Sequence, residues 1–237
     1  DGTKLFVLGQ GNDLVNEYTL TTGFDISTAS FSQSLDISAQ EILPYGLAFN
    51  NDGTKMFITG WSGDDINEYV LTTGFDISTA SYSQNYSVAA QNTKPSAVQF
   101  NGDGTKMYVL RGTGAPEIQE YKLTTGFDVS TASFTNSTAV FDVSSEETNP
   151  RGFCFNSDGT KLFVCGFAGD DINEYTLTST VTLTTPPASG TQVKVLHKKG
   201  QVWYTAKDGN PSNGLGLQAS TTAQAKFIAG APTNAPE

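Results

Sequence analysis

The sequence predicts an all-β protein: a propeller-like array of four-stranded antiparallel blades with a repeat of about 51 residues, plus a small C-terminal β module. Three observations lead there. DGTK begins at Asp1, Asp52, Asp103 and Asp158, at spacings of 51, 51 and 55 residues. Short runs rich in Phe, Tyr, Val and Ile fill the intervals, broken by Gly, Asn, Asp and Ser, with no long run of helix formers. Finally, LTTGFDISTAS at residues 20–30 returns unchanged at 71–81, and again at 123–133 with Val129 in place of Ile.

Each unit reads as four strands. PYGLAFN (44–50), PSAVQFN (95–101) and PRGFCFN (150–156) carry small residues near their centres, as a strand at a crowded axis would. The turn N-x-D-G-T-K follows, where Asp-Gly provides the positive φ of a tight hairpin. KLFVLG, KMFITG, KMYVLR and KLFVCG are nearly continuous apolar runs, expected to be buried on both faces in mid-sheet. INEYVL (66–71) and its relatives mix charged and apolar positions, and SFSQSLDIS alternates Phe31, Leu35 and Ile37 with polar residues. Burial should therefore fall from the second strand to the fourth.

LTTGFDISTAS must join third strand to fourth near the outer edge. Gly23, Gly74 and Gly126 are expected to permit its turn. Phe24, Phe75 and Phe127 should plug the gap between blades, and Asp25, Asp76 and Asp128 should cap local backbone. A copy due at Leu177 reads LTSTVTLTT, which places the end of the array near residue 178. The expected division is 1–178, with units starting near 1, 44, 95 and 150 and the first incomplete, then 179–237. The opening DGTK lacks its preceding strand, so upstream sequence is expected.

Net charge is −11, and it is uneven. Residues 1–180 hold eight Lys or Arg against 22 Asp or Glu, while 181–237 hold five against two. An acidic array repels phosphate backbones, so nucleic acid is an unsuitable partner. No apolar run reaches the roughly 18 residues of a bilayer span. The two cysteines, Cys154 and Cys165, should be diagonal neighbours on one hairpin: either two small buried hydrophobes or a disulfide.

The only histidine is His197, and neither a zinc-type cluster nor a Ser/His/Asp arrangement can be assembled within the repeats. A non-enzymatic role is expected. The loop between second and third strands is the most variable part: QGND, WSGDD, GTGAPE, FAGDD. Trp61 with Asp64 and Asp65, and Phe167 with Asp170 and Asp171, form candidate binding pairs in which an aromatic platform beside carboxylates could stack on a sugar or hold Ca²⁺. The plainer account is that these aspartates cap turns and Trp61 packs on its own blade. Arg111 and Pro116 replace the acid pair in the third repeat, which weakens a repeated metal site.

Beyond Thr180 the texture changes, with PASG at 187–190, KKGQVWY at 198–204 and GLQASTTAQAKFI at 216–228. Leu217, Ala223 and Phe227 would anchor an otherwise polar stretch. These letters resemble a segment common in structural proteins of tailed-phage virions, particularly marine ones. The DGTK…NEY…GFDISTAS units resemble propeller-type repeats of marine phage and bacterial surface proteins. The resemblance implies a virion component (a tail, fibre or surface appendage) present in multiple copies. Its array would serve host-surface recognition of a glycan or protein, and its C-terminal module would dock on other virion proteins. The alternative is a secreted or surface adhesin of a bacterium, and a propeller enzyme comes third.

Overall fold

The computed structural model describes residues 1–134 and 139–177, and the backbone alone of four strands beyond them. The chain divides into two units, Asp1–Tyr175 and Thr176–Glu237. In the second, β16 (Gln192–His197) pairs antiparallel with β17 (Gly200–Thr205), and β18 (Leu217–Ala219) with β19 (Ala225–Phe227). The 187–190 turn and the side-chain anchors Leu217, Ala223 and Phe227 lie outside the described residues.

The first unit is four antiparallel sheets. Blade one is β1 (Lys4–Gly9), β2 (Leu14–Leu20) and β3 (Ala29–Asp36), in that order. Blade two is β4 (Pro44–Phe49), β5 (Lys55–Gly60), β6 (Asp65–Leu71) and β7 (Ala80–Ser87). Blade three is β8 (Pro95–Phe100), β9 (Lys106–Arg111) and β10 (Glu117–Leu123), with its outer strand split into β11 (Ala132–Phe134) and β12 (Val140–Asp142), both paired to β10. Blade four is β13 (Pro150–Phe155), β14 (Lys161–Gly166) and β15 (Ile172–Thr176).

The hairpin chemistry is local. Gly53, Gly104 and Gly159 take φ of 71°, 71° and 67°. Asp52 Oδ1 accepts from Thr54 N and Oγ1, and Asn50 Oδ1 accepts from Lys55 N, so the turn satisfies itself. Inner strands approach closely: a Cβ on Gly46 would lie 2.9 Å from Ala97 Cα in the next blade. This is why small residues sit at that point. In blade two burial falls as expected, from a fully buried Met56–Gly60 stretch in β5 to a mostly exposed β7, but β1, expected to be buried on both faces, holds no buried residue and is less buried than β2.

Apolar faces meet between blades, so each blade closes its neighbour's core. Val15 and Ile37 of blade one cluster with Met56, Ile58, Tyr69, Leu71 and Ile77 of blade two. Phe57, Ile66 and Val88 of blade two likewise cluster with Met107, Val109, Tyr121, Leu123 and Val129 of blade three. Neither face would be buried by its own sheet, so stacking stabilises the array.

The repeated GFDIS connection is a seam fastener as well as a turn. In blade two, Asp76 caps a single 3₁₀ turn (Ile77–Thr79) through Ser78 N. Blade one then grips this segment from outside: Lys4 Nζ donates to Phe75 O at 2.6 Å, Ile77 N donates to Glu17 Oε2 at 3.2 Å, and Gln33 Nε2 donates to Asp76 Oδ1 at 2.9 Å. Blade two repeats the grip on blade three with Lys55 to Phe127 O, Val129 N to Glu68, and Gln84 to Asp128. Glu17, Glu68, Glu120 and Glu174 side chains are 2%, 1%, 24% and 47% exposed. Glu17 and Glu68 face a blade that carries the motif, whereas Glu120 faces blade four, whose corresponding letters are LTST.

Three expectations need correction. The positive φ in this connection belongs to Phe24, Phe75 and Phe127 (62°, 59° and 57°), not to the preceding glycines. Gly74 and Gly126 are required because a Cβ there would sit 2.2 Å from the carbonyl oxygen of Asp52 or Asp103. Phe24 plugs no gap, since it is exposed on the outer face of blade one. Cys154 and Cys165 are free and exposed, because they lie on the face of blade four that no described residue covers.

Candidate functional site

The inner strands begin with a bulge. Their ladders shift register between Pro44 and Gly46, Pro95 and Ala97, and Pro150 and Gly152, so Tyr45, Ser96 and Arg151 fall outside the pairing. A bulge re-aims the side chain it releases. Tyr45 and Ser96 meet residues just past the second strand of the preceding blade, whereas Arg151 of blade four reaches Tyr45 and Trp61 of blade two. Gln10 Nε2 donates to Tyr45 Oη at 2.7 Å, and Trp61 Nε1 to Ser96 Oγ at 3.2 Å. The varied residues thus gather at the end of the inner strands remote from the DGTK hairpins.

Trp61 and Tyr45 stack, with centroids 4.3 Å apart and planes inclined by 25°. The Arg151 guanidinium carbon lies 4.9 Å from the Trp61 ring and 5.1 Å from Tyr45, so it flanks both rings. Lys94 Nζ lies 4.9 Å over Trp61. Both cations are within the roughly 6 Å at which a ring quadrupole attracts positive charge. Arg151 Nη1 is buried and has no hydrogen-bond partner among the described residues. An unsatisfied donor of this kind costs about 1–3 kcal/mol.

The acid pair beside Trp61 is divided in its duties. Asp65 is buried and accepts from Asn67 Nδ2 at 2.7 Å and Asn85 Nδ2 at 2.6 Å, so both its oxygens serve the scaffold. Burial pushes its carboxyl up, against the two amide donors, with Glu41 adding repulsion. Asp64 adopts φ 50° at the turn, and its Oδ1 is buried without a partner among the described residues. Burial raises its carboxyl first, then the negative Glu41 and Asp65, while Lys94 opposes them.

The turn itself is organised by a residue the sequence reading passed over. Glu41 is buried and accepts from Leu43 N, Ser62 N and Gly63 N at 2.7, 3.1 and 3.0 Å. Glu147 does the same in blade four, accepting from Asn149 N, Ala168 N and Gly169 N. Burial works to raise the Glu147 carboxyl, but the three N–H donors and Arg151 together hold it below the usual carboxylate range. Asn92 stands at the same repeat position in blade three, which lacks the acid pair.

In blade four the second candidate set does not converge. Phe167 is exposed, Asp170 adopts φ 53° at the exposed turn, and Asp171 accepts from Asn173 Nδ2 at 2.9 Å. No group of three metal-ligating side chains suited to an ion occurs among the described residues. A cleft of about 460 Å³ opens at the hairpin end, lined by Lys4, Phe49, Asn101 and Phe127 among others. Its cation is already committed to Glu17 and the Phe75 carbonyl.

No family model and no curated protein matches the chain. Among solved structures, a "putative 6-phosphogluconolactonase" from Bacteroides fragilis aligns with a TM-score of 0.52 at 17% identity, covering 74% of this chain and 48% of that one. One of the same description from Bacteroides uniformis aligns at 0.50 and 14% identity over the same shares. The β-propeller domain of Cps50 (Swd1) from Myceliophteria thermophila aligns at 0.47 and 12% identity, over 75% and 51%. The fold is β-propeller-like. At these identities the likeness establishes the architecture and no more. The chain spans about half the length of the solved structures it matches.

Proposed function

We propose that the chain is a non-enzymatic component of a virion appendage whose propeller-like unit recognises an acidic glycan on a host surface, with residues 179–237 joining it to the particle. The observation carrying the recognition half is the Trp61–Tyr45 stack flanked by Arg151 and Lys94, with a guanidinium nitrogen left without a partner among the described residues. An aromatic face suits the apolar side of a sugar ring, and the two cations suit its carboxylate or sulfate. The carboxylates nearby favour a scaffold role: Glu41 holds three backbone N–H groups, and Asp65 holds two asparagines. The virion context rests on the resemblance of residues 187–190, 198–204 and 216–228 to phage structural segments. Multiple copies would supply avidity to weak single contacts.

The test is binding to a panel of neutral and acidic glycans by the full chain. Arg151→Gln should weaken the acidic ligand by roughly tenfold or more, and Trp61→Ala by at least as much. Binding indifferent to both substitutions would overturn the assignment of this site. Hydrolysis of a sugar lactone or its 6-phosphate, abolished by Asp64→Ala, would replace recognition with catalysis.

A further inference from the structure

Blade three departs from blades two and four at one buried position, and the departure leaves hydrogen-bond donors without acceptors. Glu41 and Glu147 each fold a carboxylate back onto three backbone N–H groups, one two residues on and two in the loop after the second strand. Asn92 begins in the same way: its N–H goes to Val88 O, as those of Glu41 and Glu147 go to Ile37 O and Val143 O. It is 0% exposed, and its Oδ1 accepts from Lys94 N at 3.0 Å, the first of the three contacts. A shorter amide cannot supply the others, and its Nδ2 is buried with no hydrogen-bond partner among the described residues. Turning the amide over would only transfer the mismatch to Lys94 N.

The loop that gives Glu41 its Ser62 and Gly63 N–H groups continues in blade three as Thr113 and Gly114. The match is fixed by Gly112 N, which donates to Lys94 O as Trp61 N does to Leu43 O. Neither Thr113 N nor Gly114 N donates to a described residue. A second change accompanies the first. A Cβ on Gly60 or Gly166 would lie 2.5 or 2.2 Å from the glutamate Cδ, yet blade three carries Arg111 at that position. Arg111 Nη1 is 3.5 Å from Glu117 Oε1 and Nη2 donates to Gln91 O, which leaves Nε buried without a partner among the described residues. Pro116 holds the backbone place of Asp64, accepting from Val143 N as Asp64 O accepts from Val88 N. Glu117 is the acid that remains in this turn, and Arg111 and Gln119 Nε2 engage it.

We infer that this turn of blade three binds a carboxylate carried by another molecule. On Thr113 N, Gly114 N, Asn92 Nδ2 and Arg111 Nε it would take the place that a glutamate of the chain itself takes in blades two and four. The ligand class follows from the repeats, since the corresponding loop N–H groups hold a carboxylate twice already and charge-assisted hydrogen bonds favour an anionic oxygen over a neutral one. Entry is from the loop side, where Gly114 is exposed at φ 92° and a Cβ on it would meet nothing within 4 Å. Its two glycines let the loop yield over the two buried donors. The site stands apart from the Trp61 cluster and does not depend on how that cluster is read.

The experiment is titration of the full, nitrogen-15-labelled chain with sodium acetate against sodium chloride, at equal ionic strength and near neutral pH. It is read at the Thr113 and Gly114 amides and the Asn92 side-chain amide. Acetate should shift these saturably with a dissociation constant of about 1–20 mM, within what so small a ligand can supply, and chloride should not. Glucuronate and N-acetylglycine, run in the same way, separate a sugar acid from a chain terminus as the source, the tighter of the two naming it. Asn92→Glu should weaken acetate by roughly tenfold or more, because a tethered carboxylate then occupies the same donors. Asn92→Glu with Arg111→Gly reproduces the Glu41–Gly60 pairing, and gives the same reading should crowding by Arg111 unfold the single variant. Equal shifts in chloride, no saturation up to about 200 mM acetate, or an acetate response that survives these substitutions would each overturn the inference.

Discussion

Removal of the seam carboxylate Glu68 should destabilise the array far more than removal of its more exposed counterpart Glu174 in blade four. Glu68 receives Lys55 Nζ at 2.7 Å, Gln84 Nε2 at 3.0 Å and Val129 N at 3.1 Å. In Glu68→Ala, the mostly buried Lys55 loses its counter-ion; breaking such a pair costs about 3–5 kcal/mol. The buried Val129 N–H loses its acceptor, worth about 1–3 kcal/mol. Lys55 retains the Phe127 carbonyl and a partly solvated ammonium, and Gln84 retains Asp128, which brings the net loss to about 3–4 kcal/mol. Glu174→Ala breaks a pair of the same chemistry in solvent and should cost about 0–1 kcal/mol. Equilibrium urea unfolding, followed by circular dichroism, measures both; at a slope of about 2 kcal/mol/M the midpoints should move by about 1.5–2 M and by under about 0.5 M. Equal shifts would refute the argument that the next blade's connection, rather than the Lys–Glu pair itself, gives this carboxylate its weight.

Gly74→Ala should cost about 1–3 kcal/mol, read as a lower thermal midpoint, because its Cβ would meet the Asp52 carbonyl oxygen at 2.2 Å and neither backbone can yield freely. Gly159→Asn should be mild by comparison, since Asn tolerates positive φ and a Cβ there meets nothing within 4 Å. The Asp128 carboxyl is held below the ordinary value of 3.8 by the Ser130 hydroxyl, with Gln84 and Ser130 N assisting against burial. A depressed folded pKa contributes stability above the unfolded value that fades as pH falls through the folded one. The stability gap between wild type and Asp128→Asn should therefore be constant above about pH 5 and shrink below 3.8, as urea midpoints across pH would report.

The blades were legible because their signals are local. Asp-Gly turns, apolar runs after Lys, and alternation around Phe31 and Leu35 each act over a few residues and recur at a fixed period. The seam was not read, because Lys4 and Phe75 are partners across 71 residues and neither carries a local signature of the other. A clue was nonetheless present. Gln33 and Gln84 occur in repeats followed by another GFD, while Asn136 replaces them where LTST follows. The aromatic–cationic cluster was half legible: Trp61 stood out within its loop, but Tyr45, Ser96 and Arg151 sit at a single bulge position of neighbouring repeats and converge only when blades stack. Phe167 with Asp170 and Asp171 looked equivalent in letters, yet blade four supplies no inner strand beyond it to complete the set among the described residues.

The uneven fastening has a mechanical corollary. Blades one, two and three are cross-tied by ammonium, carboxylate and amide, whereas the described residues join blade four through apolar and ring contacts, among them Tyr108 against Phe155 at 4.8 Å, Phe141 against Tyr175 at 5.1 Å and Arg151 against Trp61 and Tyr45, with a phenol hydrogen bond to Glu146. Under load, heat or protease the array should peel from that join first, releasing residues near 144–149 to cleavage while the three tied sheets stay together as a single resistant body.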